Sequence, residues 1–208
     1  MDKKHRFAKL VHDWIHCERC GLHETRKNVV FARGSFDPLI LFVGEAPGAE
    51  EDEKGRPFVG RSGQLLEELI QESGINEVPY AITNVLGCRP PNNVDPTIFE
   101  IMACKKRFEI LLDILDPKIL VVMGRIAARK IAGIQTISKW RGAVIDSDLV
   151  INNQVKVYKT VVTYHPSFLL RSGRDGPLRK EIVSDLKKAR KAIDDYRRFG
   201  ENLGDRED

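Results

Sequence analysis

Four cysteines are the side chains whose type and spacing most strongly indicate chemistry in this chain. Cys17 and Cys20 form a Cys-x-x-Cys pair, and Cys88 and Cys104 are the only other cysteines among the 208 residues. A short loop can present the first two sulfurs to one centre, whereas the second pair is too widely spaced to form one local knuckle. Two separated pairs indicate a four-thiolate metal site, with zinc or iron–sulfur chemistry. Four buried free thiols are the alternative, because cysteine also packs as a small hydrophobic side chain.

Composition and the N-terminal residues indicate the cellular compartment of the protein and the redox state of its cysteines. The chain starts Met-Asp-Lys-Lys-His-Arg and does not continue into an apolar signal core, so we expect a cytoplasmic protein with reduced cysteines. No apolar run is long enough to cross a membrane. Hydrophobic residues make up 42% and charged residues 31%, which is typical of a soluble globular protein. The net charge of +4 permits a polyanionic partner without requiring one.

A tight turn places a carboxylate directly after an apolar run. The turn reads Gly44-Glu45-Ala46-Pro47-Gly48 and follows Leu-Ile-Leu-Phe-Val at 39–43. Glycines allow the backbone to bend and to approach a ligand closely. Glu45 is therefore a candidate site residue, and a plain turn with a solvated carboxylate is the alternative.

Two further segments could contact a nucleic acid. Gly55-Arg56-Pro57-Phe58-Val59-Gly60 places an aromatic ring in a Gly/Pro loop, where it could stack on a flat base or simply cover the core. His165-Pro166-Ser167-Phe168-Leu169-Leu170-Arg171 joins a histidine to leucines and a cation. The leucines could wedge into a base stack while the arginine holds a phosphate. The alternative is the first turn of a helix with its leucines in the core.

These segments need a scaffold that brings them together. Apolar runs at 39–43, 80–86 and 119–123 predict buried strands, and a loose alternation over 150–162 around Asn152-Asn153 predicts a hairpin. Helical patterns cover about 5–16, 62–73, a segment from Asp95-Pro96 to 115, a short segment to 131, and 177–198. This alternation predicts a three-layer α/β/α domain over 1–199 with a mostly parallel sheet, followed by a polar tail at 200–208. In such sheets the site lies at the carboxyl ends of the strands, which Gly44–Gly48, Asn84 and His165–Ser167 all follow.

In this order, the segments resemble the family 4 (iron–sulfur) uracil-DNA glycosylases. The resemblance runs from Cys17 to the last helix and includes Gly63-Gln64-Leu65-Leu66, Thr83-Asn84-Val85 and Cys88-Arg89-Pro90-Pro91-Asn92-Asn93. It implies a uracil-DNA glycosylase-like fold and a DNA repair enzyme that flips uracil out of DNA and hydrolyses its N-glycosidic bond. It also implies a [4Fe–4S] cluster on the four cysteines, rather than zinc.

The resemblance also implies residue roles. Glu45 would orient or activate the attacking water, and His165 would stabilise charge on uracil O2. Gly44, Ala46, Phe58 and Asn84 would bind the base, with Phe58 stacking on it and Asn84 reading its Watson–Crick edge. Contacts with DNA are expected from Arg89, Ser167, Leu169, Leu170 and Arg171, with Leu169 or Leu170 filling the gap in the duplex. Lys105, Lys106 and Arg107 are further basic residues expected near phosphates.

The expected partner is uracil-containing DNA, single- or double-stranded, bound by a monomer in the cytoplasm, at the nucleoid of a prokaryotic cell. A catalytically weak nucleic-acid-binding iron–sulfur protein of the same superfamily is the alternative function. A radical enzyme is a weaker one, because the chain lacks a Cys-x-x-x-Cys-x-x-Cys run.

Overall fold

The computed structural model describes residues 1–200, with side chains through residue 198. Of the predicted tail, residues 201–208 lie outside the described part of the chain. The helices are α1 (Lys3–Trp14), α2 (Ala49–Lys54), α3 (Arg61–Ser73), α4 (Ile98–Leu115), α5 (Arg125–Ala132), α6 (Ile137–Trp140), α7 (Pro166–Ser172) and α8 (Pro177–Gly200). The strands are β1 (Ala32–Gly34), β2 (Ile40–Gly44), β3 (Tyr80–Asn84), β4 (Ile119–Met123), β5 (Val144–Ile151) and β6 (Gln154–Thr163).

A six-stranded sheet in the order β1-β3-β2-β4-β6-β5 forms the middle layer. The four inner strands are parallel, and β1 and β5 pair antiparallel at the edges. Every residue of β2 and β4 is buried, which is why both strands read as continuous apolar runs in the sequence. The predicted fold class, a mostly parallel sheet between helical layers, is confirmed.

Alternate residues of β2 face two different hydrophobic cores, one on each side of the sheet. Ile40 and Phe42 face α3 and α8, whose buried side chains include Leu65, Leu69, Ile182 and Leu186. Leu41 and Val43 face the opposite core, to which α1, α4 and α5 contribute buried side chains. Helices on both faces of the sheet leave its carboxyl edge accessible, and this edge is where the polar segments lie.

The expected start of α4 at Asp95-Pro96 is wrong by two residues. Thr97 caps the helix, because its Oγ1 accepts the Glu100 N–H at 3.3 Å while the Glu100 carboxylate accepts the Thr97 N–H at 2.6 Å. Asp95 instead forms an ion pair with Arg125, the first residue of α5. This ion pair connects the loop before α4 to the start of α5, next to the end of β4.

The predicted hairpin is confirmed. Asn152 and Asn153 connect β5 to β6 and both adopt positive φ, at 51° and 63°, as a tight hairpin turn requires. The sequence patterns missed β1, α2 and α6, which are short, and gave α7 only as the alternative for the segment after His165. None of the described helices combines the length and the apolar character needed to cross a membrane.

Candidate active site

A cleft of about 720 Å³ opens at the carboxyl edge of the parallel strands. It brings together residues from segments that are far apart in the sequence. The predicted site residues that line it are Glu45, Ala46, Phe58, Asn84, His165, Ser167 and Arg171.

Asn84 is a buried amide without a hydrogen-bond partner. It is the last residue of β3 and only 1% exposed, and neither Oδ1 nor Nδ2 has a partner among the described residues. A buried polar group that is left unpaired is costly, so this amide is set up to bond to something that enters the cleft. Gly44 lies opposite Asn84 in the sheet, and a Cβ there would come within 2.4 Å of Asn84 Oδ1. Only glycine leaves room for the amide in this position.

Phe58 forms the neighbouring wall of the cleft. Its backbone has a φ of 53°, unusual for a bulky residue, and its ring centroid lies 5.5 Å from that of His165 at an interplanar angle of 36°. Arg33 holds the strained loop, donating to the carbonyls of Pro57 at 2.8 Å and Phe58 at 3.2 Å. The ring is therefore fixed in place before any ligand arrives.

Glu51 positions the same loop and was not anticipated from the sequence. Its Oε1 accepts the backbone N–H groups of Val59 at 2.9 Å and Gly60 at 2.8 Å, and its Oε2 accepts that of Gly48 at 3.1 Å. One carboxylate thus ties the Glu45 turn to the Phe58 loop. The spacing of Gly48 and Glu51, which resembles a capping box, was the available signal.

Glu45 is half-buried where the turn leaves β2. Burial and, to a smaller extent, the charge of Asp95 raise the pKa of its carboxyl to about 6, and the charge of Arg125 opposes the shift. The carboxyl is thus mainly ionised near neutral pH and becomes protonated as the pH falls through about 6.

His165 is neutral near neutral pH. Burial lowers the pKa of its imidazole to about 4, and the Arg171 cation contributes to the shift. The backbone N–H of Ser167 donates to His165 Nδ1 at 3.1 Å, and Ser167 Oγ lies 2.9 Å from the same nitrogen. Because Nδ1 accepts a hydrogen bond, the proton of the neutral ring is on Nε2, which makes Nε2 a donor.

The segment after His165 forms α7, and its two leucines differ in exposure. Leu169 is fully buried in the core with α3 and α8, so its expected role of filling the gap in the duplex is wrong. Leu170 is half-buried, and Phe168 is the exposed apolar side chain that lines the cleft. Arg171 is exposed at the cleft wall.

Arg107 is also misassigned as a phosphate contact. It is only 1% exposed, and its Nη2 donates to the backbone carbonyls of Asn84 and Val85, each at 2.9 Å. The neighbouring Lys105 and Lys106 are exposed, as their expected role requires. Arg89 is half-buried and donates to Asn93 Oδ1 at 2.9 Å in the loop beside the cleft.

The four cysteines belong to one region of the core beneath α4. Cys88 and Cys104 are buried in it, and Cys17 and Cys20 pack against it, all four as free thiols. Burial raises the pKa of the Cys88 thiol to about 12, and the charges of Cys104 and Cys20 add to the shift, while those of Arg26 and Arg107 oppose it. In the described part of the chain, no group of three or more His, Cys, Asp or Glu side chains is arranged to hold a single metal ion.

Comparison with known proteins identifies the class of protein to which this fold and cleft belong. Residues 31–187 match the family model described as the Uracil DNA glycosylase superfamily. The chain is 42% identical over 183 residues to a type-4 uracil-DNA glycosylase of Thermotoga maritima, covering 85% of this chain and 89% of that protein. It is 39% identical over 184 residues to a type-4 enzyme of Archaeoglobus fulgidus, covering 86% and 89%.

A type-5 uracil-DNA glycosylase of Pyrobaculum aerophilum is more distant, at 30% identity over 160 residues, 68% of this chain and 67% of that protein. The chain therefore belongs to the uracil-DNA glycosylase superfamily and, within it, to the type-4 uracil-DNA glycosylases.

Proposed function

We propose that this protein excises uracil from DNA by hydrolysing the N-glycosidic bond, leaving an abasic site. The observation that carries the proposal is the buried amide of Asn84, which has no hydrogen-bond partner among the described residues, in a cleft that also holds Phe58, Glu45 and His165. A base inside a duplex cannot reach such a cleft, so the nucleotide must be flipped out of the stack.

Asn84 suits the recognition of uracil. Its Oδ1 can accept from uracil N3–H while Nδ2 donates to the O4 carbonyl. Cytosine carries an amino donor in place of that carbonyl, so it would leave the buried amide unpaired and would be rejected. Phe58 stacks on the extruded base, and Gly44 and Ala46 complete its wall.

Glu45 and His165 suit the bond cleavage. The breaking bond leaves negative charge on uracil and positive charge on the sugar. The His165 Nε2–H donates a hydrogen bond to uracil O2 without transferring its proton, and the Glu45 carboxylate stabilises the sugar and positions water. These roles need a neutral imidazole and an ionised carboxylate, which their pKa values of about 4 and about 6 provide near pH 7.

Contacts with the DNA backbone and stack are assigned to Arg89, Ser167, Leu170 and Arg171. Ser167 and Arg171 line the cleft next to His165, and Arg89 lies in the loop beside it. The substrate is uracil-containing DNA, and both single and double strands are proposed. We further propose that residues 1–199 act as one monomeric domain in the cytoplasm, at the nucleoid of a prokaryotic cell.

We also propose that Cys17, Cys20, Cys88 and Cys104 hold a [4Fe–4S] cluster. Each thiolate of such a cluster binds a different iron, so no three ligands need to converge on one ion. The four thiols share one region, and the buried Arg107 nearby has two guanidinium nitrogens, Nε and Nη1, that lack a hydrogen-bond partner among the described residues, which suits an anionic group. Cys17 and Cys20 in the segment after α1, Cys88 in the loop after β3 and Cys104 in α4 would hold the cluster, which would have a structural role outside the cleft. Iron content and visible absorption of protein purified without air test the assignment.

Uracil release from single-stranded and duplex oligonucleotides tests the function, with matched thymine and cytosine substrates as controls. We expect release of uracil only, with an abasic site left in the DNA. A catalytically weak DNA-binding protein would bind these oligonucleotides without releasing uracil. The joint presence of Glu45, Asn84 and His165 in the cleft disfavours that alternative.

A further inference from the structure

Arg107 is a buried cation that forms no ion pair with any residue that the structure describes. It is only 1% exposed, and the two groups that accept from its guanidinium are the backbone carbonyls of Asn84 and Val85. Its Nε and Nη1 are buried without a hydrogen-bond partner among the described residues. Burying a charge is costly unless the charge is paired, so a guanidinium in this position calls for a negative group.

The unpaired face of Arg107 lies next to cysteines. Arg107 follows Cys104 by three residues in α4, and a Cβ on Gly87, the neighbour of Cys88, would come within 3.1 Å of Arg107 Nε. A second cation approaches the same thiol, because Arg26 Nη1 lies 3.7 Å from Cys88 Sγ. Two arginines from different segments therefore converge on the region that carries the four thiols.

Four thiolates bring four negative charges, which exceed the positive charge of an oxidised iron–sulfide core, so the bound cluster is anionic. We propose that Arg107 is the buried counter-cation of this cluster, stabilising its negative charge while it holds the end of β3 at Asn84. The proposal rests on the cluster proposed above. It explains why an arginine is buried here with backbone carbonyls as its hydrogen-bond partners among the described residues.

The counter-cation role predicts an effect on the redox balance of the cluster. Reduction adds a negative charge, which a nearby cation stabilises, so removing the cation must move the reduction potential in the negative direction. A tenfold change in the ratio of reduced to oxidised cluster corresponds to about 59 mV for one electron. A residue that only packed the core would not shift the potential.

The experiment compares R107Q, which removes the charge, with R107K, which keeps it and loses the planar fork. K106M is the matched control, because it removes an exposed charge from the adjacent position of the same helix. Iron-loaded proteins are exposed to an iron chelator while the visible absorption is followed, and the reduction potential of each is measured. We expect R107Q to lose iron several-fold faster and to have a more negative potential. R107K and K106M should stay close to the wild type.

Unchanged iron release and potential in R107Q would overturn the proposal. So would an equal shift in R107K and R107Q, because the effect would then not follow the charge. If R107Q does not fold, a wild-type potential in R107K supports the counter-cation role, and a clear shift contradicts it. A wild-type protein without iron would overturn this inference together with the cluster. A wild type that holds iron but releases no uracil would instead overturn the proposed function alone.

Discussion

Glu45 and His165 lie in the same cleft, yet burial acts on them in opposite directions. Burial disfavours the charged form of each group, so it raises the pKa of the Glu45 carboxyl to about 6 and lowers that of the His165 imidazole to about 4. Near pH 7 the carboxyl is still ionised and the imidazole is already neutral. Burial thus makes the imidazole a neutral donor, and its shift of the carboxyl is too small to neutralise Glu45 at pH 7, so the cleft holds the two different groups that a separating anion and cation require.

The neighbours of the two residues differ as well. Glu45 faces both members of the Asp95–Arg125 ion pair, whose charges act on it in opposite directions. The cation that acts on His165 is Arg171, and its charge adds to the effect of burial. Substitutions of Asp95 or Arg125 should therefore change the pKa of Glu45, whereas the pKa of His165 is lowered by burial and by Arg171.

Loss of the Glu45 charge is expected to have the largest effect. E45Q keeps the shape of the side chain and should slow single-turnover uracil release by about 10²–10⁴-fold, while binding to uracil-containing DNA stays within a few-fold of the wild type. The matched control is E50Q, whose parent carboxylate is exposed and pairs with Lys54. An E45Q rate equal to that of E50Q would remove Glu45 from the mechanism.

Loss of the neutral His165 donor is expected to lower the rate slightly less than loss of the Glu45 charge. H165A should slow the single-turnover step by about 10²–10³-fold, the usual effect of one hydrogen-bond donor to a developing anion. Its residual activity should still fall as the pH drops through about 6, because Glu45 remains. H12A, at an exposed histidine of α1, serves as the control. If the activity of H165A no longer fell as the pH dropped through about 6, the histidine, not Glu45, would be the group that titrates in this range.

Removal of the stacking ring should have an intermediate effect. F58A is expected to weaken contact with the base by about 1–3 kcal/mol, measured as affinity for uracil-containing DNA and as single-turnover rate. W140A is the comparison, since Trp140 lines a separate pocket beside α6. If W140A were the more harmful change at equal stability, the assignment of the ring would be wrong.

Substitutions in the Asp95–Arg125 ion pair are expected to have the smallest and most specific effect. D95N removes a negative charge near Glu45 and leaves Arg125 in place, so the acid limb of the pH–rate profile should move to lower pH. R125M should move the limb to higher pH. Each shift should be less than about one pH unit. Shifts of the same sign in both variants would show that the limb does not report Glu45.

The sequence predicts the inner strands, the main helices and most of the cleft residues, because buried strands and amphipathic helices leave periodic apolar patterns. It does not predict which side chains bind backbone groups across the fold. Glu51 and Arg107 look like ordinary surface charges in the sequence, and only the folded chain shows three N–H groups around the first and two carbonyls on the second.

Leu169 shows a second limit. In a helix of seven residues, the docking of the helix decides which side chain faces the core, and a pattern as short as Phe168-Leu169-Leu170 does not fix this. Leu169 is therefore buried where the wedge hypothesis needed an exposed leucine, and Phe168 is exposed instead.

The pH dependence of single-turnover uracil release by the wild-type protein tests the central claim most directly. An ionised Glu45 beside a neutral His165 predicts a rate that falls about tenfold per pH unit below about 6 and stays level from about pH 7 to 8. A rate that instead declines as the pH rises from 6 to 8 would contradict the account, because it would require a protonated group that this cleft does not provide.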